Sequence, residues 1–407
     1  VWLHGGGFSA GSSIEQLAYD GENLSRSGDV VVVSVNHRLN VLGYLDLSPF
    51  GEKYRDSANA GNLDLIAALE WIRDNIEGFG GDPENVTLFG QSGGGVKVWS
   101  LLQMPEADGL FHKGIIESGV VDPDLLGDAE DGNGREIVKA MLAELGLEEK
   151  DVDQLETLPY DQLAQAYENA APKVAQKGEY VGNHPHKNQS YFGDAIKHGF
   201  REETKKIPLL IGTVLGEFDF GPAISGKYEF TRKEVEEKVR DVLGEEGIEL
   251  IDEFLKIYPD KAPMDLLSVD TIFREPTIRF IKERVKCPDS KIYSFQFTYE
   301  FPMFDGKIAW HCSEIPFAFH NIDKVPVCNC GEETNRLQEQ ICQAWVSFAR
   351  TGKPEISGIE WPACADGDEA VMMLDKECRI RHNPDHELVN RLKKLQTAEH
   401  SVENVQH

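Results

Sequence analysis

The first 286 residues contain no cysteine, and all 7 in the chain fall between Cys287 and Cys378. An odd number, clustered at one end, makes a poor disulfide framework and points to a reducing compartment or a few incidental thiols, with the cytoplasm as the expected location. Cys312, Cys328, Cys330 and His311 lack the paired C-x-x-C spacing of a structural metal site. Basic residues are also scarce: 41 against 70 acidic, a formal net charge of -29. A nucleic-acid binder needs a basic face, so that class is set aside. No apolar run is long enough to span a membrane. Neither an initiator Met nor a signal peptide precedes Val1-Trp2-Leu3-His4. A targeting segment lost upstream would leave the same start.

What is present centres on Val86-Thr87-Leu88-Phe89-Gly90-Gln91-Ser92-Gly93-Gly94. Asp82-Pro83-Glu84-Asn85 is a turn cluster, and Val86 to Phe89 is a short β-favouring run after it. Gly90-Gln91-Ser92-Gly93-Gly94 fits G-x-S-x-G, in which a serine stands on a sharp strand-to-helix turn. Glycine two residues to either side removes the side chains that would clash there. The helix that follows aims free N–H groups at the reacting centre. At the start of the chain, His4-Gly5-Gly6-Gly7-Phe8 exposes consecutive backbone N–H groups, the second half of an oxyanion hole beside such a serine.

Periodicity predicts an α/β architecture, a doubly wound and mostly parallel sheet. Val30 to Val35 reads as a strand buried on both faces. Leu65, Leu69, Ile72 and Ile76 recur at helical spacing before Gly78. Strands follow at Gly114 to Glu117, Ile207 to Thr213 and Lys291 to Thr298, with a late edge strand at Val371 to Leu374. Between them run two excursions. The first, Asp122 to Lys206, is polar and acidic, and its Tyr180, His184, His186, Tyr191 and Phe192 read as surface loop residues. The second opens with Thr231 and Glu234 as a capping box. Later helices carry Leu337, Ile341, Trp345 and Phe348, then Leu388, Leu392 and Leu395. Glu399 to His407 reads as a solvated tail.

A serine hydroxyl needs an adjacent base, oriented by an acid. In this arrangement the order is serine, acid, histidine, each at the carboxyl end of a strand. Glu217 follows the strand Ile207 to Thr213, and His311 follows Lys291 to Thr298. Asp219 competes with Glu217, and His320 with His311; spacing leaves these open.

Several stretches together resemble the type-B carboxylesterases, the carboxylesterase/cholinesterase group of α/β-hydrolases, with a bacterial flavour. They are His4-Gly5-Gly6-Gly7-Phe8; Asn36-His37-Arg38-Leu39 with Gly43; Gly61-Asn62-Leu63-Asp64; Phe79-Gly80-Gly81-Asp82-Pro83; Phe89 to Gly94; Pro208 to Thr213; and His311-Cys312-Ser313-Glu314-Ile315-Pro316-Phe317. The resemblance implies an α/β-hydrolase fold over residues 1–385, followed by a helix end and solvated tail over 386–407. It implies a serine ester hydrolase with Ser92 as nucleophile, Glu217 as acid and His311 as base. Gly6, Gly7 and Gly93 then form the oxyanion hole. The substrate is a small-molecule ester, and the chemistry needs no metal or organic cofactor. Other readings are an amidase or carbamate hydrolase on the same triad, and a non-catalytic binding protein on the same scaffold.

Three departures from that family pattern stand out. Gln91 replaces the usual glutamate before the serine. Gly216 replaces an acidic residue before Glu217, which predicts a looser acid loop. The family's segment upstream of the glycine loop is missing, which predicts a fragment with a cut first strand, prone to aggregate alone.

Overall fold

The structure, a computed structural model, describes residues 1–122, 134–182 and 184–403. Residues 123–133 of the first excursion and 404–407 of the expected tail lie outside the described residues. The chain falls into two compact units.

The first unit comprises Val1–Ser13, Ser34–His112 and Asp122–Thr204. Strand β1 (Trp2–Leu3) lies between β2 (Ser34–Val35) and β3 (Thr87–Gln91), all parallel. Trp2 is opposite Ser34 and Phe89, and Leu3 is opposite Val35 and Gly90. The valine run is a correction: only Ser34–Val35 pairs, and Val31 is 38% exposed. A continuous apolar run implies burial on both faces only when sheet and helices flank it. Here β2 has β1 as its partner within this unit. Helix α1 (Ala60–Asn75) buries Leu65, Leu69 and Ile72, as its period required. Helix α2 (Gly93–Leu101) follows β3 directly.

The first excursion is packed rather than loose. Helices α3 (Arg135–Glu144) and α4 (Tyr160–Ala175) bury Ile137, Val138, Met141 and Leu142 with Leu163, Ala166, Ala170 and Val174. The aromatic and histidine group after them also departs from a surface-loop reading. His186 is buried, its Nε2 hydrogen-bonds the Tyr180 hydroxyl, and its Nδ1 lies 3.6 Å from Asp46. Only Phe192 of that group is well exposed.

The second unit comprises Ile14–Val33, Lys113–Val121 and Lys205–His407. Strands β4 (Lys113–Glu117), β5 (Leu209–Val214) and β6 (Ile292–Phe297) run parallel. A two-stranded hairpin, β7 (Glu300–Phe301) with β8 (Lys307–Ile308), stands apart from them. Strand β9 (Ala370–Leu374) pairs parallel with β6 and antiparallel with β10 (Arg379–His382). So β9 is fully buried, and the edge belongs to β10. The polar sequence Arg379-Ile380-Arg381-His382 hid that strand: its residues are exposed or half-buried.

Helix α5 (Arg232–Ile257) begins with the expected capping box. Glu234 N–H donates to the Thr231 hydroxyl at 3.3 Å, and Thr231 N–H donates to the Glu234 carboxylate at 2.8 Å. It kinks at Gly244, where φ is 68°. Helix α6 (Arg274–Arg284) and α7 (Glu332–Thr351) follow. Helix α8 (His386–Glu403) runs past Glu399, with Leu388, Val389 and Leu392 in the apolar cluster around Val239 and Phe254. The strands are thus mostly parallel and flanked by helices, the α/β class the alternation predicted.

Candidate active site

The turn between β3 and α2 holds Ser92 at φ 57° and ψ -128°, a left-handed conformation in a residue with a side chain. Such a conformation costs on the order of 1–3 kcal/mol and persists only where its surroundings impose it. Here the chain on both sides is pinned. The α2 hydrogen-bond ladder starts on the Ser92 carbonyl, which accepts from Val96 N–H at 3.0 Å. A Cβ on Gly94 would stand 1.9 Å from the Leu3 carbonyl oxygen, so only glycine lets the helix start lie against β1.

The glycine loop is seated on that turn. A Cβ on Gly93 would stand 2.3 Å from the Gly7 nitrogen, so the two backbones touch directly. Gly6, at φ 84°, carries the loop through a tight turn, its carbonyl accepting from Ser9 at 3.2 Å and Ala10 at 3.1 Å. Of the sequence-predicted site residues, Gly7, Gly93 and Ser92 are thereby brought together within the first unit, with Gly6 one residue away.

The second unit brings together Glu217 and His311. Glu217 sits three residues beyond β5 and is 1% exposed. The His311 Nδ1–H donates to Glu217 Oε2 at 2.5 Å. Glu217 Oε1 is held separately, accepting from the Ser118 hydroxyl at 2.6 Å and the Val214 N–H at 3.0 Å. The competitors sit elsewhere: Asp219 pairs with Lys307 at 2.8 Å, and His320 with Glu339 at 2.8 Å. The looser acid loop expected from Gly216 is not found. Gly216 N–H donates to the Ala309 carbonyl at 2.9 Å, and a Cβ there would meet Ile308 at 2.6 Å. Glycine at this point answers to packing.

With this geometry in place, comparison with known proteins is direct. The carboxylesterase family model matches residues 1–392. The chain belongs to the carboxylesterase family. It is 33% identical over 402 residues to the para-nitrobenzyl esterase of Bacillus subtilis, covering 95% of this chain and 77% of that protein. It is 29% identical to the phenmedipham hydrolase of Pseudarthrobacter oxydans, covering 96% and 79%. Among solved structures it matches an esterase from anaerobic Clostridium hathewayi that can hydrolyze aliphatic aromatic polyesters. That match has 50% identity and a TM-score of 0.93, over 97% of this chain and 78% of that one. The α/β-hydrolase fold and the carboxylic ester hydrolase class follow.

Residues that sequence reasoning missed surround the histidine of this carboxylesterase. Phe273 stacks on the His311 ring at 5.2 Å and 15°, and Phe218 flanks it at 4.9 Å. Ser118, which holds Glu217, immediately follows β4, a strand end that could have been searched for such a group. Nothing local marks Phe273.

The neighbouring carboxyls are biased toward their protonated forms. Burial, and then the charge of Glu217, push Asp270 up to about 8, although backbone N–H groups of Arg274, Ile272 and Phe273 oppose the rise. Burial pushes Glu117 up to about 7 against the Trp345 indole N–H, which donates to it at 2.7 Å. Glu314 is raised well above the usual range by burial and then by Glu117 and Glu217. Low dielectric around one carboxylate disfavours a second. Among the described residues no helix is long and apolar enough to cross a membrane.

Proposed function

We propose that this carboxylesterase cleaves esters through an acyl-enzyme intermediate, with Ser92 as nucleophile, His311 as general base and Glu217 as the acid that orients it. His311 takes the Ser92 proton as the oxygen attacks the ester carbonyl. Glu217 holds the proton on Nδ1 and stabilises the imidazolium. The N–H groups of Gly6, Gly7 and Gly93 receive the oxyanion, where one donor contributes about 2.7–4 kcal/mol in comparable sites. His311 then protonates the leaving alcohol, and water cleaves the acyl-enzyme by the same steps reversed.

The observation that carries the reading is the buried Glu217–His311 bond at 2.5 Å. It favours Glu217 and His311 over the alternatives that spacing left open, since Asp219 and His320 lie in other ion pairs. The strained Ser92 turn and the Gly7–Gly93 contact support it independently.

The substrate class we infer is esters with apolar, aryl-bearing groups. Phe218 is 49% exposed and Phe220 is 64% exposed, 5.9 Å apart, on the chain next to Glu217. Exposed large aromatics grouped beside a reacting histidine present a wall for rings or alkyl chains. The polyester activity of the 50% identical Clostridium hathewayi esterase points the same way. Labelling with a fluorophosphonate tests the nucleophile. One adduct on the Ser92 peptide with loss of turnover is expected, and an adduct on another serine overturns the assignment.

A further inference from the structure

Lys97 lies in α2, on the helix that begins at Ser92, and is 0% exposed. Its neighbours Val96, Val98 and Trp99 are buried as well. Taking an ammonium out of water carries an effective penalty of about several kcal/mol per ion, so a fully buried lysine calls for a physical reason. Its Nζ donates to the His4 carbonyl at 3.0 Å and lies 6.0 Å from the centroid of the Phe8 ring. His4 and Phe8 are the residues that bracket Gly5-Gly6-Gly7.

The charge is not shared with the imidazoles beside it. His4 and His37 stack at 5.3 Å and 25°. Burial, and then the charge of Lys97, hold His4 down to about 4 and His37 down to about 3, so both rings are neutral at working pH. Each turns its Nδ1 to a nearby backbone carbonyl, that of Gly5 and that of Arg38, both at 2.9 Å.

Consecutive glycines have more conformational freedom than any other stretch, and an oxyanion hole needs them in one arrangement. The Gly93 contact pins the loop at Gly7. The His4 carbonyl belongs to the peptide that leads into Gly5, so fixing its direction fixes how the chain enters the Gly6 turn. We propose that Lys97 is a positioning residue of the oxyanion hole, its buried ammonium holding the His4 carbonyl so that the glycine loop keeps its N–H groups aimed at the reacting carbonyl. This rests on the reading of Gly6, Gly7 and Gly93 as the oxyanion hole.

The test compares Lys97→Met, Lys97→Gln and Lys97→Arg in the full chain. Three quantities are read: kcat and KM on a p-nitrophenyl ester, inhibition by an aryl trifluoromethyl ketone, and inhibition by the matching methyl ketone. The trifluoromethyl ketone forms a tetrahedral oxyanion on the nucleophile; the methyl ketone reports ground-state binding. For Lys97→Met, kcat should fall about 100-fold, the cost of a misplaced group, and by less than the roughly 1000-fold upper cost of a lost oxyanion donor. KM should barely move, and trifluoromethyl ketone affinity should fall in step with kcat while methyl ketone affinity holds. Lys97→Arg, which keeps a cationic donor, should recover part of both losses.

An unchanged kcat, a loss confined to KM, or equal weakening of both ketones overturns the proposal. If Lys97→Met does not fold, Lys97→Gln is read by the same affinity ratio, and an unchanged ratio overturns it equally. Ser92→Ala runs alongside. An inactive Ser92→Ala beside a fully active Lys97→Met removes only the role of Lys97. An active Ser92→Ala removes the site reading itself.

Discussion

Glu217 and His311 are joined twice. The imidazole Nδ1–H donates to the carboxylate at 2.5 Å, and the His311 backbone N–H donates to the Glu217 carbonyl at 2.6 Å. The second bond fixes the chain that carries the ring, so orientation does not depend on the side chains alone. Glu217→Gln keeps the shape but removes the charge that selects the Nδ1–H tautomer. We expect kcat to fall by about 10⁴-fold, the size of the equivalent change in serine proteases. Asp219→Asn and His320→Asn should lower kcat far less than Glu217→Gln, since these groups pair with Lys307 and Glu339 rather than with each other or with His311 and Glu217. Steady-state kinetics on one soluble ester decides it. A loss at Asp219 or His320 equal to that at Glu217 sinks the assignment.

The aromatic wall makes a prediction about specificity. Removing one apolar contact from a pocket changes discrimination by about 1–3 kcal/mol. Phe218→Ala and Phe220→Ala should therefore lower kcat/KM for a benzoate or naphthyl ester about tenfold more than for an ethyl acetate-sized ester. Phe273→Leu should act differently. Phe273 is 4% exposed and stacks on His311, so its loss should lower kcat for every ester alike. Equal effects of the Phe218 and Phe220 variants on large and small esters would show that no substrate ring meets them.

Gln91 is 1% exposed and directly precedes Ser92. A neutral amide there attracts a cationic substrate less than a carboxylate would. Gln91→Glu should raise the ratio of choline-type to neutral ester turnover at equal acyl length. The experiment belongs at moderate salt, where long-range attraction by the acidic surface is screened. A ratio that does not move refutes the local electrostatic argument.

Arg274, 0% exposed, bonds Glu369 at 2.8 and 3.0 Å and Asp385 at 2.9 and 2.7 Å. His386 Nε2 adds a charge-assisted contact to Glu369 at 2.5 Å. This cluster ties the start of α6 to the residues that lead into β9 and α8. Arg274→Ala would leave Asp385 buried without its cation and Glu369 with only His386, and about 3–5 kcal/mol of stability should be lost. Denaturant unfolding measures it, and a loss below about 1 kcal/mol would mean that water or repacking replaces the arginine.

That cluster also shows what the sequence could not disclose. Its members are separated by 95 and 111 positions, and no local pattern announces such a pairing. Ser92, Gly93 and the glycine loop were legible because their chemistry requires a local backbone shape, which short motifs record. Strands β4, β5 and β6 were legible because burial imposes an apolar run. Where the environment was asymmetric, the run misled: Val30 to Val35 reads as interior yet pairs at only two residues, and β10 draws no strand reading because its edge residues are polar. The acid and base needed family resemblance to separate them from Asp219 and His320, since hydrogen-bond partners are a property of the folded chain. Lys97 did leave a trace, as a lone charge in the apolar stretch Val96-Lys97-Val98-Trp99.

The last prediction concerns pH and Glu117, at the end of β4 and 0% exposed. Its ordinary value of 4.5 is pushed up to about 7 by burial, with the Trp345 N–H acting in the other direction. The folded state therefore keeps a proton that the unfolded chain releases from about 4.5 upward. Between those values the unfolded state binds fewer protons, so stability falls as pH rises, by about 1.4 kcal/mol for each unit of separation, and levels off above the folded value. Glu117→Gln keeps an oxygen for the Trp345 N–H and removes the ionisation. Asp270 and Glu314 are raised in the same sense and titrate in both proteins, so the informative quantity is the difference between variant and wild type. Melting temperatures at pH 5 and pH 8 should show Glu117→Gln gaining on wild type at the higher pH. Parallel changes in the two proteins would mean that Glu117 titrates as an ordinary carboxyl, and that the acid behind the Trp345 indole is ionised in the working enzyme.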